Sequence, residues 1–465
     1  MKVLILTPIA ERDVHFYLAT ADKITQQRSS PEMEIVFVSF FQPGNDLIRQ
    51  RGYKVYDPYA VLNAEGFRAL SRTEAEKKFQ TPSLEALSQH ENLTFGISHM
   101  QKCIEKFERY LPALDQLLAQ IETDFAGREK FIAQELAGFI GPLSLFYVGM
   151  ARGWTHYFTE PAFFKGRIHL LKNNLFFQVA ATRPQAESEK QVQHYLREAF
   201  QKKTVVAARK DAHHYKDMGF SKVFNQENFR KLGKKLAAKY VNRNQQELDH
   251  ISNHVQRYLK MLLNRWKNQS SYVSLESLKG KKMVYFPFHV QLDFSLTIRS
   301  PQWLDQLALI EKVLLHLPKG SLLVAKEHPA SIGCLAQNRL EKLLENPQFK
   351  LLHPLTNSYD ILSQSSGVVT INSKVGAEAL SQGIPTLTFG KAFYTERGFA
   401  PHFQDWAQVE ALLQKWLGSE ASARVPNPEW ILFLAQVWEQ SFETELYDLT
   451  ESNVASFART LTTVL

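Results

Sequence analysis

Apolar residues form short continuous runs along this chain, separated by longer stretches in which apolar positions recur with helical spacing. Such runs are typical of strands buried on both faces of a parallel sheet, and the longer stretches are typical of amphipathic helices. In the first half we predict strands at residues 3–6, 35–40 and 51–56, and a strand followed by a helix within 131–149. Residues 155–164 are predicted to form a strand that runs into a loop.

The second half alternates more regularly between the two kinds of segment. The predicted strands are 283–287, 321–326, 349–352, 367–371 and 386–390, and the predicted helices are 303–317, 337–344, 358–363 and 375–382. Strands joined by short helical connections predict a Rossmann-like sheet. The expected fold class is therefore α/β, with two Rossmann-like domains and a helical basic insertion.

Further helical segments surround the two predicted sheets. Residues 104–125 predict an amphipathic helix interrupted near Pro112, because proline lacks a backbone donor and collides with the preceding turn. The other predicted helices are 229–240, 245–266, 406–417, 428–442 and 454–465. No internal repeat or low-complexity segment is evident.

We expect four parts along the chain. They are an N-terminal Rossmann-like domain (1–200), a basic helical insertion or connection (201–270), a C-terminal Rossmann-like domain (271–425), and C-terminal helices (426–465) that pack back on the first domain.

Composition indicates a globular protein that is not integral to a membrane. Of 465 residues, 44% are hydrophobic and 22% charged. Residues 1–8 predict a strand and not a signal peptide, and the longest apolar run, 136–151, is too short to span a bilayer. Cys103 and Cys334 lie far apart, which favours a reducing compartment. We therefore expect a cytoplasmic location.

Positive charge is concentrated in one segment. Residues 201–269 hold 16 Lys and Arg against 5 Asp and Glu, whereas the whole chain carries +8. This segment is either a solvated helical face or a surface for an anionic membrane, an acidic polymer or nucleic acid. No nucleic-acid-binding motif accompanies it, so we expect no nucleic-acid partner.

Polar and small residues follow the strands of the second predicted sheet. Ligands bind at the carboxyl ends of strands in open α/β sheets. The candidate binding residues at these ends are His289, Lys326, His328, Pro329, Thr370, Asn372, Ser373, Gly376 and Glu378.

The turn before the predicted helix 375–382 is a candidate phosphate site. Free N–H groups at a helix start, together with the Asn372 and Ser373 side chains, favour an anion, and Lys374 adds positive charge. Gly376 lies in the first turn of this helix. The alternative is that Ser373 is an ordinary helix N-cap.

Two further residues at this edge have candidate roles. The Glu378 carboxylate can accept hydrogen bonds from both hydroxyls of a ribose, or it is an exposed helix residue. The His328 imidazole, fixed by Pro329, can donate to a phosphate or protonate a leaving group, or it is structural.

Three segments resemble the capsule polysaccharide biosynthesis glycosyltransferases, a family that includes enzymes transferring Kdo (3-deoxy-manno-octulosonic acid) from CMP-Kdo. The similar segments are Tyr285-Phe286-Pro287-Phe288-His289-Val290-Gln291 with Arg299-Ser300-Pro301, Lys326-Glu327-His328-Pro329-Ala330-Ser331-Ile332-Gly333, and Val375-Gly376-Ala377-Glu378-Ala379-Leu380-Ser381-Gln382-Gly383-Ile384-Pro385. The resemblance spans about residues 283–394.

This resemblance implies a GT-B fold, in which the nucleotide-sugar lies in a cleft and is held mainly by the C-terminal domain. It implies phosphate contacts from His328 and Pro329 and from Thr370, Asn372 and Ser373. Asn372 departs from the hydroxyl residues or Gly-Thr pair frequent at its position. The loop that starts at Thr159-Glu160-Pro161 is similar to an acidic loop on the acceptor side, which makes Glu160 the candidate catalytic carboxylate. Glu135 is a weaker alternative.

The expected function is a glycosyltransferase of capsule or surface polysaccharide synthesis, with CMP-Kdo or a related CMP-ulosonic acid as donor. Glu160 and His328 are the candidate catalytic residues. No Asp-x-Asp element or metal-ligand cluster occurs, so neither a metal nor a cofactor is expected. Expected partners are the donor, a lipid-linked or polysaccharide acceptor, and an anionic membrane contacted through 201–270. The alternatives are a UDP-sugar transferase or epimerase, and a non-catalytic assembly factor.

Overall fold

The computed structural model describes residues 2–26, 33–96, 99–204, 225–248, 250–395, 397–418 and 424–465. Its strands are β1 (Lys2–Leu6), β2 (Met33–Val38), β3 (Lys54–Tyr56), β4 (Glu129–Glu135), β5 (Thr155–Pro161), β6 (Arg167–Lys172), β7 (Tyr272–Val273), β8 (Met283–Pro287), β9 (Leu322–Lys326), β10 (Phe349–Leu352), β11 (Gly367–Thr370), β12 (Thr386–Thr388) and β13 (Phe442–Glu443).

Its helices are α1 (Glu11–Gln26), α2 (Asn45–Gln50), α3 (Pro58–Leu62), α4 (Arg72–Phe79), α5 (Leu84–Phe95), α6 (Met100–Asp124), α7 (Ile140–Ala151), α8 (Ala186–Lys202), α9 (Gln226–Leu236), α10 (Ile251–Asn268), α11 (Phe294–Thr297), α12 (Gln306–Leu315), α13 (Gln337–Leu344), α14 (Ser358–Gln364), α15 (Lys374–Leu380), α16 (Trp406–Gly418), α17 (Pro428–Glu439) and α18 (Glu451–Val464). Among the described residues, none of the helices has both the length and the apolar character required to cross a bilayer.

The first sheet has the strand order β3-β2-β1-β4-β5-β6-β13. Neighbouring strands from β3 to β5 are parallel, and β6 and β13 extend the sheet with antiparallel pairs. Residues Val3, Leu4, Ile5 and Leu6 are all buried, as expected for a central strand covered by helices on both faces.

The second sheet has the order β12-β11-β8-β9-β10-β7, and every pair in it is parallel. The strand order reverses at β1 in the first sheet and at β8 in the second, and both of these strands lie inside their sheets, which is the Rossmann arrangement. The predicted fold class, α/β with two Rossmann-like domains, is confirmed.

The interruption predicted near Pro112 is wrong, because α6 runs through this residue as one helix of 25 residues. Pro112 has no N–H to donate to the carbonyl oxygen of Glu108. That oxygen instead accepts a hydrogen bond from the Leu70 N–H at 3.0 Å. A neighbouring segment thus satisfies the carbonyl that the proline leaves without its helical partner.

The predicted helix 245–266 begins later than expected, at Ile251. The preceding residues pair with the first domain instead. Gln246 forms an antiparallel bridge with Phe41, and the Glu247 N–H donates to the carbonyl oxygen of Phe40 at 3.1 Å. Part of the predicted basic segment, 205–224, lies outside the described residues.

The end of the chain contacts both domains. Trp430 of α17 donates its indole N–H to Ser381 Oγ of the second domain at 2.8 Å. Beyond α17, β13 pairs with β6 in the first sheet, and Phe457 of α18 packs on Phe16 of α1 with ring centroids 4.8 Å apart. These C-terminal elements hold the two domains together on one side of the cleft.

Candidate functional site

A cavity of about 640 Å³ lies between the two domains, at the carboxyl ends of the strands of both sheets. From the first domain it is lined by residues at the ends of β4 and β5, by the β6 residue His169, and by Phe176 and Phe177 after β6. From the second domain it is lined by residues at the ends of β8, β9, β11 and β12. Among the sequence-predicted residues, those that line it are Glu135, Glu160, His289, Lys326, His328, Pro329, Asn372, Ser373 and Glu378.

The loop after β9 presents His328 to this cavity. Pro329 follows it and begins a short turn, in which the Ala330 N–H donates to His328 Nδ1 at 3.1 Å. In the neutral imidazole the proton is therefore on Nε2, so that Nε2 is a hydrogen-bond donor. The arrangement suits an imidazole that donates to a phosphate oxygen.

Two residues of the segment 326–333, Glu327 and Gly333, hold the same loop in place on the side away from the cavity. Glu327 accepts hydrogen bonds from the Gly333 N–H at 2.9 Å and from the Tyr272 hydroxyl at 3.1 Å. Gly333 has φ of +79°, and a Cβ there would collide with the backbone of Met261 in α10. Glu327 and Gly333 therefore shape the loop that carries His328.

Asn372 and Ser373 form the turn between β11 and α15. The Ser373 hydroxyl accepts from the Val375 N–H at 3.2 Å, so Ser373 is the N-cap of α15. The Asn372 amide donates to the carbonyl oxygen of Ser295 at 2.7 Å and to Ser300 Oγ at 3.1 Å. The Asn372 side chain thus braces the loop around α11, and both residues still line the cavity.

His289 supports this turn from the adjacent strand end. Its Nε2 accepts a hydrogen bond from the Asn372 N–H at 3.2 Å. Burial lowers the pKa of His289 to about 4, so the ring is neutral at physiological pH and remains an acceptor. We infer that His289 fixes the backbone of the turn.

Glu378 is buried, with 6% of its surface exposed, which excludes the exposed-helix alternative. No side chain or backbone group among the described residues donates a hydrogen bond to its carboxylate, although it lines the cavity. Burial raises its pKa to about 7, against the lowering influence of Lys326 and Lys374. A buried carboxylate with free acceptor capacity matches the two donor hydroxyls of a ribose.

Lys326 interacts electrostatically with Glu378 and is also buried. Its ammonium donates to the carbonyl oxygen of Thr356 at 2.8 Å and to Ser358 Oγ at 3.0 Å. Burial lowers its pKa to about 8, against the raising influence of Glu378. Lys326 is therefore both a structural tie to α14 and a source of positive charge at the cavity wall.

Glu160 forms an ion pair that crosses between the domains. Both of its oxygens accept from the Arg299 guanidinium, at 2.7 and 3.0 Å. Burial raises its pKa, but Arg299, with Lys374 and His169, outweighs that effect and lowers it overall. Glu160 is consequently ionised, with Arg299 held against it.

The alternative carboxylate, Glu135, lies in a separate polar cluster on the first domain. Its Oε2 accepts a hydrogen bond from the Tyr447 hydroxyl, and the Arg12 guanidinium lies 3.8 Å away. Asp13 is close by, and burial, with the Glu135 charge, raises the Asp13 pKa to about 6. Both carboxylates proposed from the sequence therefore reach the cavity, at different places on its wall.

Two predicted binding residues lie behind the cavity wall. Thr370 is fully buried, and its hydroxyl accepts from the Ser373 N–H at 3.3 Å. Gly376 is buried against Tyr394, whose hydroxyl occupies the place of a Cβ and donates to the carbonyl oxygen of Ser373 at 2.7 Å. Both residues shape the turn without facing the cavity.

Three residues that line the cavity were not among the candidates from the sequence, namely His169, Phe177 and Arg299. His169 is the register partner of Glu160 on β6 and stacks on Phe177 with centroids 3.5 Å apart. Arg299 was noted only as part of a family-like segment. Assigning these roles required knowledge of which strand lies beside Glu160 and which loop faces it.

No group of three or more His, Cys, Asp or Glu side chains suited to a metal ion occurs in the ranges that the structure describes. The groups that converge on the cavity are hydrogen-bond donors, three lysines, one arginine and carboxylates. Such a set suits an anionic ligand that also carries hydroxyl groups.

Comparisons with known proteins give a family and several distant relatives. Residues 176–407 match the family described as "Capsule polysaccharide biosynthesis protein". Protein FixF of Sinorhizobium fredii is 27% identical over 146 residues, and the match spans 30% of this chain and 35% of FixF, about a third of that protein's length.

Two solved structures are similar to this chain, both at low sequence identity. Thermosulfurimonas dismutans KpsC, a beta Kdo 2,7 transferase, is 16% identical, with 75% of this chain and 89% of that chain covered and a TM-score of 0.37. The UDP-GlcNAc 2-epimerase of Neisseria meningitidis is 12% identical, with both chains fully covered and a TM-score of 0.27. Through the residues that carry the C-terminal sheet and one wall of the cleft, the chain belongs to the capsule polysaccharide biosynthesis protein family.

Proposed function

We propose that this protein is a glycosyltransferase of capsule or surface polysaccharide synthesis that binds a nucleotide-activated sugar in the cleft between its domains. The observation that carries the proposal is that His328, Ser373 and Glu378, from separate loops, line one cavity. Widely separated parts of the chain thus converge where an α/β sheet binds its ligands.

In the proposed complex the second domain holds the nucleotide. His328 Nε2 donates to the phosphate, the Asn372–Ser373 turn lies beside it, and Glu378 accepts from the ribose hydroxyls. Lys326 and Lys374 offset the negative charge of the phosphate. The donor we favour is CMP-Kdo or a related CMP-ulosonic acid, because the segments around His289, His328 and Glu378 resemble transferases that use it.

The sugar would extend towards Glu160 of the first domain. Glu160 is the proposed catalytic carboxylate, acting on an acceptor hydroxyl or on the sugar itself. Its low pKa means that it is ionised before the acceptor binds, with Arg299 as counter-ion. The protein would accelerate transfer by orienting the two substrates and by stabilising the departing phosphate through His328.

We propose that the enzyme needs no metal or cofactor, works in the cytoplasm at the inner face of the membrane, and takes a lipid-linked or polysaccharide acceptor.

Thermal unfolding with CMP, UDP and GDP tests the nucleotide assignment. A ligand that binds only the folded protein raises the melting temperature, so CMP should stabilise the protein most. Stabilisation by UDP alone would favour a UDP-sugar transferase or epimerase. No stabilisation by any of the three would favour a non-catalytic assembly factor and contradict the proposal.

Turnover of the CMP-sugar by Glu160→Gln and Glu135→Gln variants tests the choice of carboxylate. The proposal predicts that Glu160→Gln loses turnover while its affinity for CMP is unchanged. Loss of turnover in Glu135→Gln, with Glu160→Gln fully active, would transfer the catalytic role to Glu135.

A further inference from the structure

Helix α9 packs against no other part of the described structure closely enough to bury any of its residues. Leu236 in the last turn of α9 is 39% exposed. The turn that follows exposes Tyr240 and Val241, at 69% and 76%. Exposed aliphatic and aromatic side chains that share one side of a helix are typical of a surface that contacts a partner.

Helix α10 has two apolar sides, and among the described residues only one of them is buried. The inner side docks on the loop after β9, where the Asn264 amide donates to the carbonyl oxygen of Gly333 at 2.9 Å. The outer side exposes Val255, Leu259, Leu263 and Trp266, at 42%, 46%, 62% and 68%. These residues recur at intervals of four, four and three, so they form one stripe along the helix.

Basic side chains accompany both apolar stripes. Lys260 and Lys267 are exposed and lie next to the stripe on α10, beside Leu263. The stretch 226–243 contains six Lys and Arg residues and a single acidic residue, Glu227. Long cationic side chains beside exposed aliphatic and aromatic residues are typical of helices that lie in the interface of a bilayer.

The chemistry of this surface selects one class of partner. Nucleic acid would use the positive charge but would leave Leu259 and Leu263 without an apolar contact. A second copy of this chain would bring like charges together. An anionic bilayer satisfies both features, since its headgroups attract the lysines and its acyl region takes up the apolar side chains.

Helix α10 also reaches the cleft, because Tyr258, one turn from Val255, lines the cavity between the domains. The stripe that faces outwards and the wall of the cavity are therefore parts of the same helix. We propose that α9 and α10 form a docking surface for an anionic phospholipid bilayer, which places the mouth of the cleft at the membrane. The binding of the bilayer does not depend on the proposed glycosyltransferase function. Only the purpose of that binding rests on it.

Flotation with vesicles tests the docking surface. The full-length protein is mixed with vesicles of phosphatidylcholine alone or with phosphatidylglycerol added. We expect binding to the anionic vesicles and little binding to the neutral ones. We expect Leu263→Ser with Trp266→Ser, and separately Lys260→Glu with Lys267→Glu, to lower the partition coefficient at least about tenfold.

Matched controls use exposed residues elsewhere on the surface. Leu315 and Val425 are 82% and 73% exposed, so Leu315→Ser with Val425→Ser removes similar apolar area without touching α9 or α10. Lys319→Glu with Lys282→Glu makes the same change of charge at two other exposed lysines. Both control pairs should float like the wild type.

Three results would overturn the inference. They are wild-type protein that does not float with anionic vesicles, α10 variants that float as well as the controls, and a dimer in solution that the same α10 variants dissociate. Thermal stabilisation by CMP, measured on every variant, keeps the two proposals separate. Stabilisation by CMP without flotation refutes the docking surface alone, and flotation without stabilisation by any nucleotide refutes the proposed function alone.

Discussion

Replacing Glu378 by glutamine removes a charge that the fold keeps buried at the wall of the cavity. The carboxylate is 6% exposed and accepts no hydrogen bond from the described residues, and its pKa is raised from 4.5 to about 7, chiefly by burial. The folded protein therefore holds a proton on Glu378 more tightly than the unfolded chain does. The substitution should change both the pH dependence of stability and the affinity for a ribonucleotide.

The sign of the stability effect follows from these two pKa values. Below pH 4.5 the carboxyl is protonated in both states and has no effect on the free energy of unfolding. Between pH 4.5 and 7 the unfolded chain loses the proton first, so wild-type stability falls as the pH rises. Above pH 7 the cost of the buried charge reaches about 3 kcal/mol. Glu378→Gln should thus be more stable than wild type by about 3 kcal/mol at pH 8, and by under about 1 kcal/mol at pH 5.

The effect on binding should have the opposite direction. Hydrogen bonds to a charged acceptor contribute about 2 kcal/mol, so the loss of the Glu378 carboxylate should weaken CMP binding roughly thirtyfold. If the lost contact is with the ribose, wild type should prefer CMP to 2′-deoxy-CMP, and Glu378→Gln should bind both with similar affinity.

The assays are urea unfolding at pH 5 and pH 8, and calorimetric titration with the two nucleotides. Glu429→Gln, at an exposed position of α17, is the control and should match wild type in both. A variant that binds CMP as tightly as wild type would refute the ribose assignment. A stability difference between the Glu378→Gln variant and wild type that is the same at both pH values would refute the explanation by buried charge.

Three other substitutions test separate parts of the site. Arg299→Ala leaves Glu160 without its counter-ion and should lower the free energy of unfolding by about 3 kcal/mol, with partial recovery in the double variant that also has Glu160→Gln; urea unfolding measures both. His328→Ala should weaken CMP binding about tenfold and leave cytidine binding unchanged, because the lost hydrogen bond is to the phosphate; calorimetric titration with each ligand checks this. Gly376→Ala places a methyl group against the Tyr394 hydroxyl and should destabilise by about 2 kcal/mol, and less in a Tyr394→Phe background, as measured by urea unfolding.

The sequence predicts the second sheet well because each of its central strands is a continuous apolar run between polar or glycine-containing turns. It does not predict β7 or β13, because strands of two residues are too short to show a recognisable pattern of apolar residues. It also does not predict β6, in which Arg167 and His169 interrupt the apolar residues. That strand is stabilised by its register with β5, which depends on tertiary contact.

The sequence predicts which loops form the candidate site better than it predicts the position and contacts of each residue in them. The strand-end rule brings His328, Ser373 and Glu378 to one edge of a sheet, since that rule depends only on the order of elements. The same rule does not distinguish Thr370, which lies behind the wall, from Asn372, which lies in it. The ion pair between Glu160 and Arg299 joins residues that are 139 positions apart and lie in different domains. It depends on how the two domains face each other, which the order of elements does not determine.

A crystal structure of the protein with CMP would show whether the cavity between the two domains holds the nucleotide. We expect the phosphate to lie within hydrogen-bonding distance of His328 Nε2, and the ribose hydroxyls to donate to the Glu378 carboxylate. A nucleotide bound elsewhere on the protein, with the cavity filled only by solvent, would contradict it.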